Sequence, residues 1–395
     1  MSLMRYGWLL AAVFLLSSCH DEVNLPPALE QRVVVVYMIA ENSLSSYAAS
    51  DLSEMRRVVG NIPDNCTLAV YLDDSHPEPG PRILTFDNKR GERTLYEYKE
   101  DPISTDSASM QQALDFIIGK CPARHYGLVL WSHGSGWIPQ RQQAARHTIG
   151  VDNGKNSGSN TGTELEIPTL AHILAQTGQR WDYVFFDACF MQGIEVAYEL
   201  RNVADWVIGS PAEIPGLGAP YDHIMPNLFA EPEEVWTIAR DYHNYYLKNY
   251  GQYLTPVLSC VNTAELEQLA SATAAAVAGL DAPPAIAKGI QEYGGYDNRS
   301  ASGQAWFPHY YDMGSAMAKW LEGEAYQAWL ESLNRAVPYR YAARGWQSVY
   351  TSSFASYLPV TDAEHLAAVS MYIPGESNAQ DAHYSRFEWH KAIGW

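Results

Sequence analysis

The sequence is short of cysteine and of positive charge. It has only five cysteines in 395 residues, and they are widely scattered, with no C-x-x-C pair. This spacing excludes the common cysteine-based metal sites, although it leaves open a disulfide in an oxidising compartment. The 26 Lys and Arg against 45 Asp and Glu give a formal net charge of −19. Because non-specific binding to nucleic acid needs a positive face, no nucleic-acid partner is expected.

Other signatures are also missing. No G-x-G-x-x-G follows a strand and there is no G-x-x-x-x-G-K-[ST], so a nucleotide cofactor is not expected. No D-x-D-x-D-G loop is present, and no metal ligand is assigned. Asp73 and Asp74, which end an apolar run, are interpreted as loop-capping residues rather than ligands. After the N-terminal segment no apolar run reaches about 18 residues, so no transmembrane helix is expected.

The N-terminal segment has the pattern of a targeting signal. Arg5 precedes the apolar stretch "WLLAAVFLL", which ends in "LSSC". We interpret residues 1–18 as a signal peptide and residues 19–31 as a tether. The pattern resembles a bacterial lipobox, which implies a lipid anchor on Cys19; the alternative is a simple cleaved signal. The expected location is the bacterial cell envelope, as a lipoprotein facing either side of the outer membrane, or outside the cell after secretion.

Two apolar runs end abruptly in reactive residues. "GLVLW" is followed by Ser-His-Gly, and "YVFF" is followed by Asp-Ala-Cys. Such runs are typical of parallel strands buried on both faces, and open parallel sheets carry their sites at the carboxyl ends of strands. His133 and Cys189 are therefore a candidate general base and nucleophile. The alternative is a buried structural cysteine with an unrelated histidine.

The flanking residues suit acyl transfer. The backbone N–H groups of Gly134 and Cys189 are candidates for an oxyanion hole. The apolar spacing after Cys189 predicts a helix over residues 191–201, whose N-terminal dipole would favour a thiolate.

Strand-like and helix-like segments alternate along the chain, which predicts an α/β fold with a mostly parallel sheet flanked by helices. We assign residues 32–260 to the catalytic domain. Residues 261–395 are interpreted as a helical C-terminal portion that packs on this domain and completes it. A late strand is expected over residues 367–373, and a long helical stretch near residues 313–335.

The motifs "LVLWSHGSGW", "FFDACFMQGIEVAYEL" and "GAPYD" resemble the clostripain family of cysteine peptidases, relatives of the caspases. "RVVVVYMIAENSLSSYAASDLSEM" and "VSMYIP" extend the resemblance over most of residues 32–395. The resemblance implies a caspase-like fold, with His133 as the catalytic histidine and Cys189 as the nucleophile. It also implies that Asp187 helps to bind a basic side chain before the scissile bond. An alternative for Asp187 is capping of the helix that follows.

One loop departs from the family pattern. Residues 210–216 read "SPAEIPG" where the family reads roughly Ser-Gln-Glu-Thr-Glu-Pro-Gly, so Ala212 and Ile214 replace two acids. This loop is expected to border the substrate cleft, with Ser210 as a substrate-binding residue.

Residues 139–167 are rich in Gly, Asn, Ser and Gln and lie between the two reactive motifs. The resemblance implies that such a segment is cut during maturation, here after Arg141, Arg146 or Lys155; the alternative is an uncut loop. It also implies that structural Ca²⁺ is possible, although the chemistry needs no cofactor.

The sequence thus predicts a cysteine endopeptidase that acts on proteins or peptides, after Arg or Lys, and is held at a membrane by its lipid anchor. The first alternative is a non-catalytic surface lipoprotein that uses a caspase-like fold as a binding module. The second is an esterase or transpeptidase with the same Cys-His pair.

Overall fold

The computed structural model describes residues 29–76, 78–137, 149–154, 162–280, 289–294, 310–348, 357–374 and 378–395. The strands of this part are β1 Glu30–Ala40, β2 Cys66–Asp74, β3 Arg82–Asp87, β4 Gly91–Glu97, β5 Ala123–Trp131, β6 Ile149–Asp152, β7 Thr163–Leu165, β8 Trp181–Asp187, β9 Ala204–Gly209, β10 Leu258–Asn262, β11 Glu292–Gly294, β12 Tyr310–Asp312, β13 Tyr339–Tyr341, β14 Gly345–Gln347, β15 Tyr357–Pro359 and β16 Ser370–Met371. The helices are α1 Ser45–Arg57, α2 Ser107–Lys120, α3 Ile167–Gln176, α4 Ile194–Leu200, α5 Tyr221–Leu228, α6 Trp236–Tyr250, α7 Leu266–Val277, α8 Met313–Trp320, α9 Gly323–Ala336, α10 Asn378–Tyr384 and α11 Glu388–Ile393.

A nine-stranded sheet forms the centre of the molecule. Its strand order is β13-β10-β9-β8-β5-β1-β2-β3-β4. The five central strands, from β9 to β2, are parallel, and the two strands on each outer side pair antiparallel. The α/β fold with a mostly parallel central sheet and flanking helices is confirmed.

The central strands form where the sequence is continuously apolar. Every residue from Val33 to Ala40 in β1 is buried, as is all of β8. Alternate residues of β1 enter two separate cores. Val33 and Val35 pack on the face that carries α2, α3 and α4, while Val34 and Val36 pack on the face that carries α1, α5 and α6. Burial on both faces explains why these strands show no polar alternation.

The chain reverses its direction of travel across the sheet at β1. Strand β2 lies on one side of β1, and β5, β8 and β9 follow on the other side. In open α/β sheets, ligands bind outside the carboxyl ends of strands at such a reversal. The carboxyl ends of β1, β5 and β8 are therefore where a site is expected.

The C-terminal portion differs in detail from the prediction. The expected strand over residues 367–373 is reduced to Ser370–Met371, which pairs with β12 in a small separate sheet. The helical stretch near 313–335 is broken into α8 and α9, because Leu321 is extended and Gly323 has a φ of +54°. The expected division at residue 260 falls inside β10, and β13 returns to the main sheet beside it.

In the described part of the chain, Cys66, Cys121, Cys189 and Cys260 form no disulfide bond. Burial raises the pKa of the thiols of Cys66, Cys121 and Cys260. Among the described residues, no helix is both long enough and apolar enough to cross a membrane.

Candidate active site

His133 and Cys189 lie at the ends of neighbouring parallel strands. Strands β5 and β8 pair in a register that sets Trp131 beside Asp187, so the residues that follow each strand leave the sheet side by side. Both His133 and Cys189 line one cleft of about 410 Å³. The sheet therefore brings together two residues that are 56 positions apart in the sequence.

The two loops touch at Gly134. A Cβ atom built on this glycine would lie 2.6 Å from the carbonyl oxygen of Cys189 and 3.0 Å from Cβ of Ala188. Real Cβ contacts are not that short, so the sequence His-Gly is needed for the loop after β5 to approach the loop after β8 so closely. This approach carries the backbone beside His133 to the cysteine.

The helix predicted to begin at residue 191 begins later. Helix α4 spans Ile194–Leu200 with Gly193 as its N-cap, so Cys189 precedes the first helical residue by five positions. The prediction that a helix N-terminus favours the thiolate of Cys189 is wrong, because the dipole acts only within the first turn. The residue beside the sulfur is instead Ile214, whose N–H donates to Sγ at 3.4 Å while Sγ donates to its carbonyl oxygen at 3.9 Å.

The imidazole of His133 contacts Ser43. Nε2 of His133 lies 3.0 Å from the hydroxyl oxygen of Ser43, in the loop between β1 and α1. This loop leaves the sheet at the reversal next to β5, which explains how a residue 90 positions earlier reaches the histidine. Sequence reasoning missed Ser43, since a serine after an apolar strand carries no distinguishing signal.

Asp187 is buried at the floor of the cleft. Its carboxylate accepts hydrogen bonds from the N–H of Ala219 at 3.0 and 3.1 Å and from the hydroxyl of Tyr221 at 3.0 Å. Burial raises the pKa of Asp187 to about 6. Helix α4 receives no side-chain cap, so the alternative role of Asp187 as its N-cap is wrong.

A second buried carboxyl group, Asp51, interacts electrostatically with Asp187. Asp51, on the buried face of α1, accepts a hydrogen bond from Nε1–H of Trp131 at 2.7 Å. Burial, and then the charge of Asp187, raise the pKa of Asp51 to about 9. Asp51 is therefore protonated near neutral pH, and of these two carboxyl groups Asp187 supplies the negative charge. No pattern in the sequence around residue 51 predicts this pairing.

The rest of the cleft is acidic. Glu164 and Glu213 also line it, and no Lys or Arg is among its described lining residues. Glu213 and Ile214 come from the 210–216 loop, which borders the cleft as expected.

Ser210, at the start of the same loop, is fully buried, and its hydroxyl oxygen accepts a hydrogen bond from the N–H of Ala212 at 3.1 Å. A role for Ser210 in substrate binding stays a prediction, and the observed contact is one that shapes the loop.

The C-terminal portion contacts the loops that follow β5 and β8. The hydroxyl of Tyr310 donates to the carbonyl oxygen of Ser135, two residues after His133, and the Tyr310 ring stacks on Phe190 at 5.7 Å. The N–H of Ser370 donates to the carbonyl oxygen of Gln192 at 3.0 Å. The C-terminal portion thus holds the residues that follow His133 and Cys189.

Three carboxylates at the same edge of the sheet are a candidate cation site. Glu41, Asp73 and Asp152 place one oxygen each within 4.8 Å of the others. Asp74, by contrast, caps a loop as predicted, because its carboxylate accepts a hydrogen bond from the N–H of His76 at 2.9 Å.

Some predicted residues lie outside the described part of the chain. They are the cleavage positions Arg141, Arg146 and Lys155 and the lipidation residue Cys19.

Comparison with known proteins decides the family. A sequence model of the clostripain family, peptidase family C11, matches residues 36–395. The chain belongs to the clostripain family. The resemblance of the His-Gly and Asp-Ala-Cys motifs to this family of cysteine peptidases is therefore confirmed.

Solved structures of this family share the fold. A secreted C11 cysteine protease from Bacteroides thetaiotaomicron, in complex with an irreversible peptide inhibitor, is 29% identical, with a TM-score of 0.76 over 92% of this chain and 99% of that one. An inactive zymogen C11 protease from Parabacteroides distasonis is 27% identical, with a TM-score of 0.77 over 93% and 99% of the two chains. Clostripain from Hathewaya histolytica is 23% identical over an alignment of 226 residues, and the match covers 51% of this chain and 43% of clostripain. The matched region is thus less than half the length of that curated relative.

Proposed function

We propose that this clostripain-family protein is a cysteine endopeptidase that cleaves peptide bonds after Arg or Lys, with Cys189 as nucleophile and His133 as general base and acid. The observation that carries the proposal is the shared cleft, where these two residues stand among acidic side chains. The peptide inhibitor bound by the B. thetaiotaomicron relative supports a peptide as substrate.

The first half of the reaction forms an acyl-enzyme. His133 takes the proton of the Cys189 thiol while Sγ attacks the carbonyl carbon of the scissile bond. Negative charge moves to the carbonyl oxygen, where the N–H groups of Gly134 and Cys189 would stabilise it. Collapse of the intermediate breaks the C–N bond, and His133 returns the proton to the departing amine.

The second half releases the acid. His133 takes a proton from water, which attacks the thioester, and Sγ leaves as the thiolate and regains its proton from the imidazolium. Because Nε2 contacts the Ser43 hydroxyl, we assign these proton transfers to Nδ1. Ser43 is then a positioning residue that holds the ring in one orientation.

Recognition of a basic side chain rests on Asp187. A carboxylate has about four lone-pair positions, and the donors Ala219 and Tyr221 occupy only part of them. A guanidinium or ammonium group at the floor of the cleft would form charge-assisted hydrogen bonds with the remainder. Glu213 adds negative charge at the rim and would offset the acids replaced by Ala212 and Ile214.

The test is a series of fluorogenic peptides that differ only in the residue before the scissile bond. Wild-type protein should prefer Arg and Lys, Asp187→Asn should lose that preference, and Cys189→Ala should cleave none. Asp222→Asn, which removes an acid outside the cleft that pairs with Arg57, is the matched control. Preference for an acidic or large apolar residue in wild type would contradict the role of Asp187.

Two further parts of the proposal concern processing. We infer that Cys19 is lipidated and holds the enzyme at the cell envelope; a secreted enzyme is the alternative, in keeping with the secreted B. thetaiotaomicron relative. We also infer self-cleavage after Arg141, Arg146 or Lys155, in keeping with the zymogen state of the P. distasonis relative. Intact-mass analysis of stored wild type and Cys189→Ala separates self-cleavage, which only the wild type would show, from a contaminating protease, which would cut both.

A further inference from the structure

Glu195 carries a carboxyl group that the proposed reaction does not use. It lies in the first turn of α4, six residues after Cys189, and it is fully buried. Its Oε1 accepts a hydrogen bond from the backbone N–H of Tyr372, in the C-terminal portion, at 2.7 Å. Burial raises the pKa of Glu195 to about 7. Since burying a carboxyl group costs free energy unless hydrogen bonds compensate it, the groups around Glu195 must supply them.

Trp137 brings the loop after β5 to the same carboxyl group. It follows His133 by four residues and is fully buried. Its indole lies close enough to Glu195 to lower the pKa of the carboxyl group, which partly offsets the effect of burial. An indole N–H can only donate a hydrogen bond, and a carboxylate oxygen accepts one, so the two groups are complementary.

Each of these groups has a buried atom that is not yet satisfied. Among the described residues, neither Nε1 of Trp137 nor Oε2 of Glu195 has a hydrogen bond of normal geometry. A Cβ atom built on Gly193 would lie 3.1 Å from Oε2, so this oxygen also faces the end of the loop that carries Cys189. Buried polar atoms are normally paired, and one hydrogen bond between the two groups, direct or through water, would satisfy both atoms.

Aromatic rings of the C-terminal portion enclose Trp137. The centroid of its ring lies 5.3 Å from that of Tyr372 and 5.0 Å from that of Phe387. Tyr372 is also the residue whose backbone N–H binds Glu195. The loop after β5, helix α4 and the C-terminal portion therefore meet around one buried carboxyl group.

We propose that Glu195 is a positioning residue, whose carboxyl group links the loop after β5, through Trp137, to the loop and helix that follow β8. The link holds His133 and Cys189 at the distance that proton transfer requires. This inference rests on the proposed function, because it takes these two residues as the reacting pair. Glu195 does not line the cleft, so its loss should slow the chemical step and leave peptide binding unchanged.

The test is a double-mutant cycle of Glu195→Gln and Trp137→Phe. Gln keeps an acceptor for the N–H of Tyr372 but sets an NH2 group, which is a donor, against the indole N–H. Phe removes that N–H and keeps most of the ring packing. Each single variant should lower kcat by about 10-fold with little change in KM, because the two loops lose their link. The double variant should lose no more than about 10-fold, since both changes break the same contact.

Two matched variants separate this role from general stabilisation of the fold. Glu199→Gln alters the next turn of α4, where Oε1 accepts a hydrogen bond from the N–H of Glu388 at 2.6 Å and so also joins α4 to the C-terminal portion. Trp329→Phe removes a buried indole N–H that donates to the hydroxyl of Thr273 at 3.0 Å, between α9 and α7. Neither should lower kcat, whatever its effect on Tm.

A second measurement needs no peptide. The rate at which iodoacetamide alkylates Cys189 at pH 7 follows the fraction of thiolate, which a nearby His133 raises. Glu195→Gln and Trp137→Phe should each lower this rate by about 3-fold or more. A lowered rate in the variants supports the inference even if the wild type cleaves no peptide, an outcome that would contradict the proposed function alone.

Normal kcat and a normal alkylation rate in both single variants would overturn the inference and leave the assignment of the reacting pair untouched. Single effects that multiply in the double variant would also overturn it, because two independent sites would then be responsible. So would a rise of KM without a fall of kcat, which would mean that Glu195 shapes the cleft. If Glu195→Gln does not fold, Trp137→Phe decides alone, and normal kcat in that variant overturns the inference.

Discussion

Two groups of reactive side chains stand at the same edge of one sheet, and they differ in burial. His133 and Cys189, after β5 and β8, are half-buried and line an open cleft. Glu41, Asp73 and Asp152, at the ends of β1, β2 and β6, are buried from solvent. The half-buried pair can reach a peptide and exchange protons with it, whereas the buried carboxylates are out of a peptide's reach. The same edge of the sheet thus carries two groups of reactive side chains, and the depth of each side chain decides which group can meet a substrate.

The largest expected effect falls on the half-buried pair. Cys189→Ala and His133→Ala should each lower kcat/KM by about 10⁴-fold or more, because members of such a dyad act as a unit. The measurement is steady-state cleavage of the preferred fluorogenic peptide, with circular dichroism to verify the fold. Cys121→Ala, which removes a thiol outside the cleft, should keep nearly full activity. Turnover of Cys189→Ala close to the wild-type rate would remove Cys189 from the mechanism.

The close contact between the two loops is the next point to test. Gly134→Ala should lower kcat by about 100-fold, because its Cβ would force the Cys189 carbonyl and the oxyanion-binding N–H groups apart. Gly119→Ala in α2 meets nothing within 4 Å and serves as the control. A Gly134→Ala enzyme with normal kcat would mean that the loops do not need this approach.

The charge of Asp187 predicts a pH dependence. The carboxyl group is ionised above its raised pKa of about 6 and neutral below it, so attraction for Arg is present at pH 7.5 and lost as the pH falls through 6. The ratio of kcat/KM for an Arg substrate to that for a Gln substrate should fall by about 10-fold or more between pH 7.5 and 5. Because both substrates would be cleaved by the same pair of residues, this ratio cancels any effect of pH on the chemical step.

Asp187→Asn should make the same ratio low and independent of pH. A wild-type ratio that stays constant between pH 7.5 and 5 would assign substrate charge recognition to another acid, such as Glu213.

The smallest expected effect concerns Ser43, at the boundary between the two groups. Ser43→Ala should lower kcat by about 10-fold with little change in KM, because the imidazole of His133 loses a partner that orients it. Ser43→Thr, which keeps the hydroxyl, should restore most of kcat, and Ser46→Ala on the exposed surface should do nothing. A change of KM alone, or no rescue by threonine, would contradict a positioning role.

The parts of the fold that the sequence predicts are those with a strong local signal. Strands β5 and β8 contain the apolar runs "GLVLW" and "YVFF", which predict them within a few residues of their observed bounds. Strand β4 gives no such signal, because it is largely exposed and polar and carries no apolar alternation. The helix after Cys189 was predicted too early, since Gln192 and Gly193 form an extended approach that apolar spacing does not reveal.

The residues of the candidate site also fall into those that the sequence predicts and those that it does not. His133 and Cys189 could be found because each directly follows an apolar strand, at the edge where parallel sheets carry their sites. Asp51, Ser43 and the three clustered carboxylates could not, because each acquires its role from partners at least 30 residues away in the sequence.

The sequence by itself determined the family, the parallel core and the two residues that we propose to perform the chemistry, because hydrophobic runs and the short motifs that end them are local. Only the tertiary structure decided what surrounds them. It placed Ile214 rather than a helix N-terminus beside the sulfur of Cys189, and it buried Asp187 near enough to Asp51 to raise the pKa of Asp51. It also brought Glu41, Asp73 and Asp152 together in one cluster. The physical reason is that burial and charge proximity, which determine pKa values, are properties of packed segments and not of any one stretch of chain.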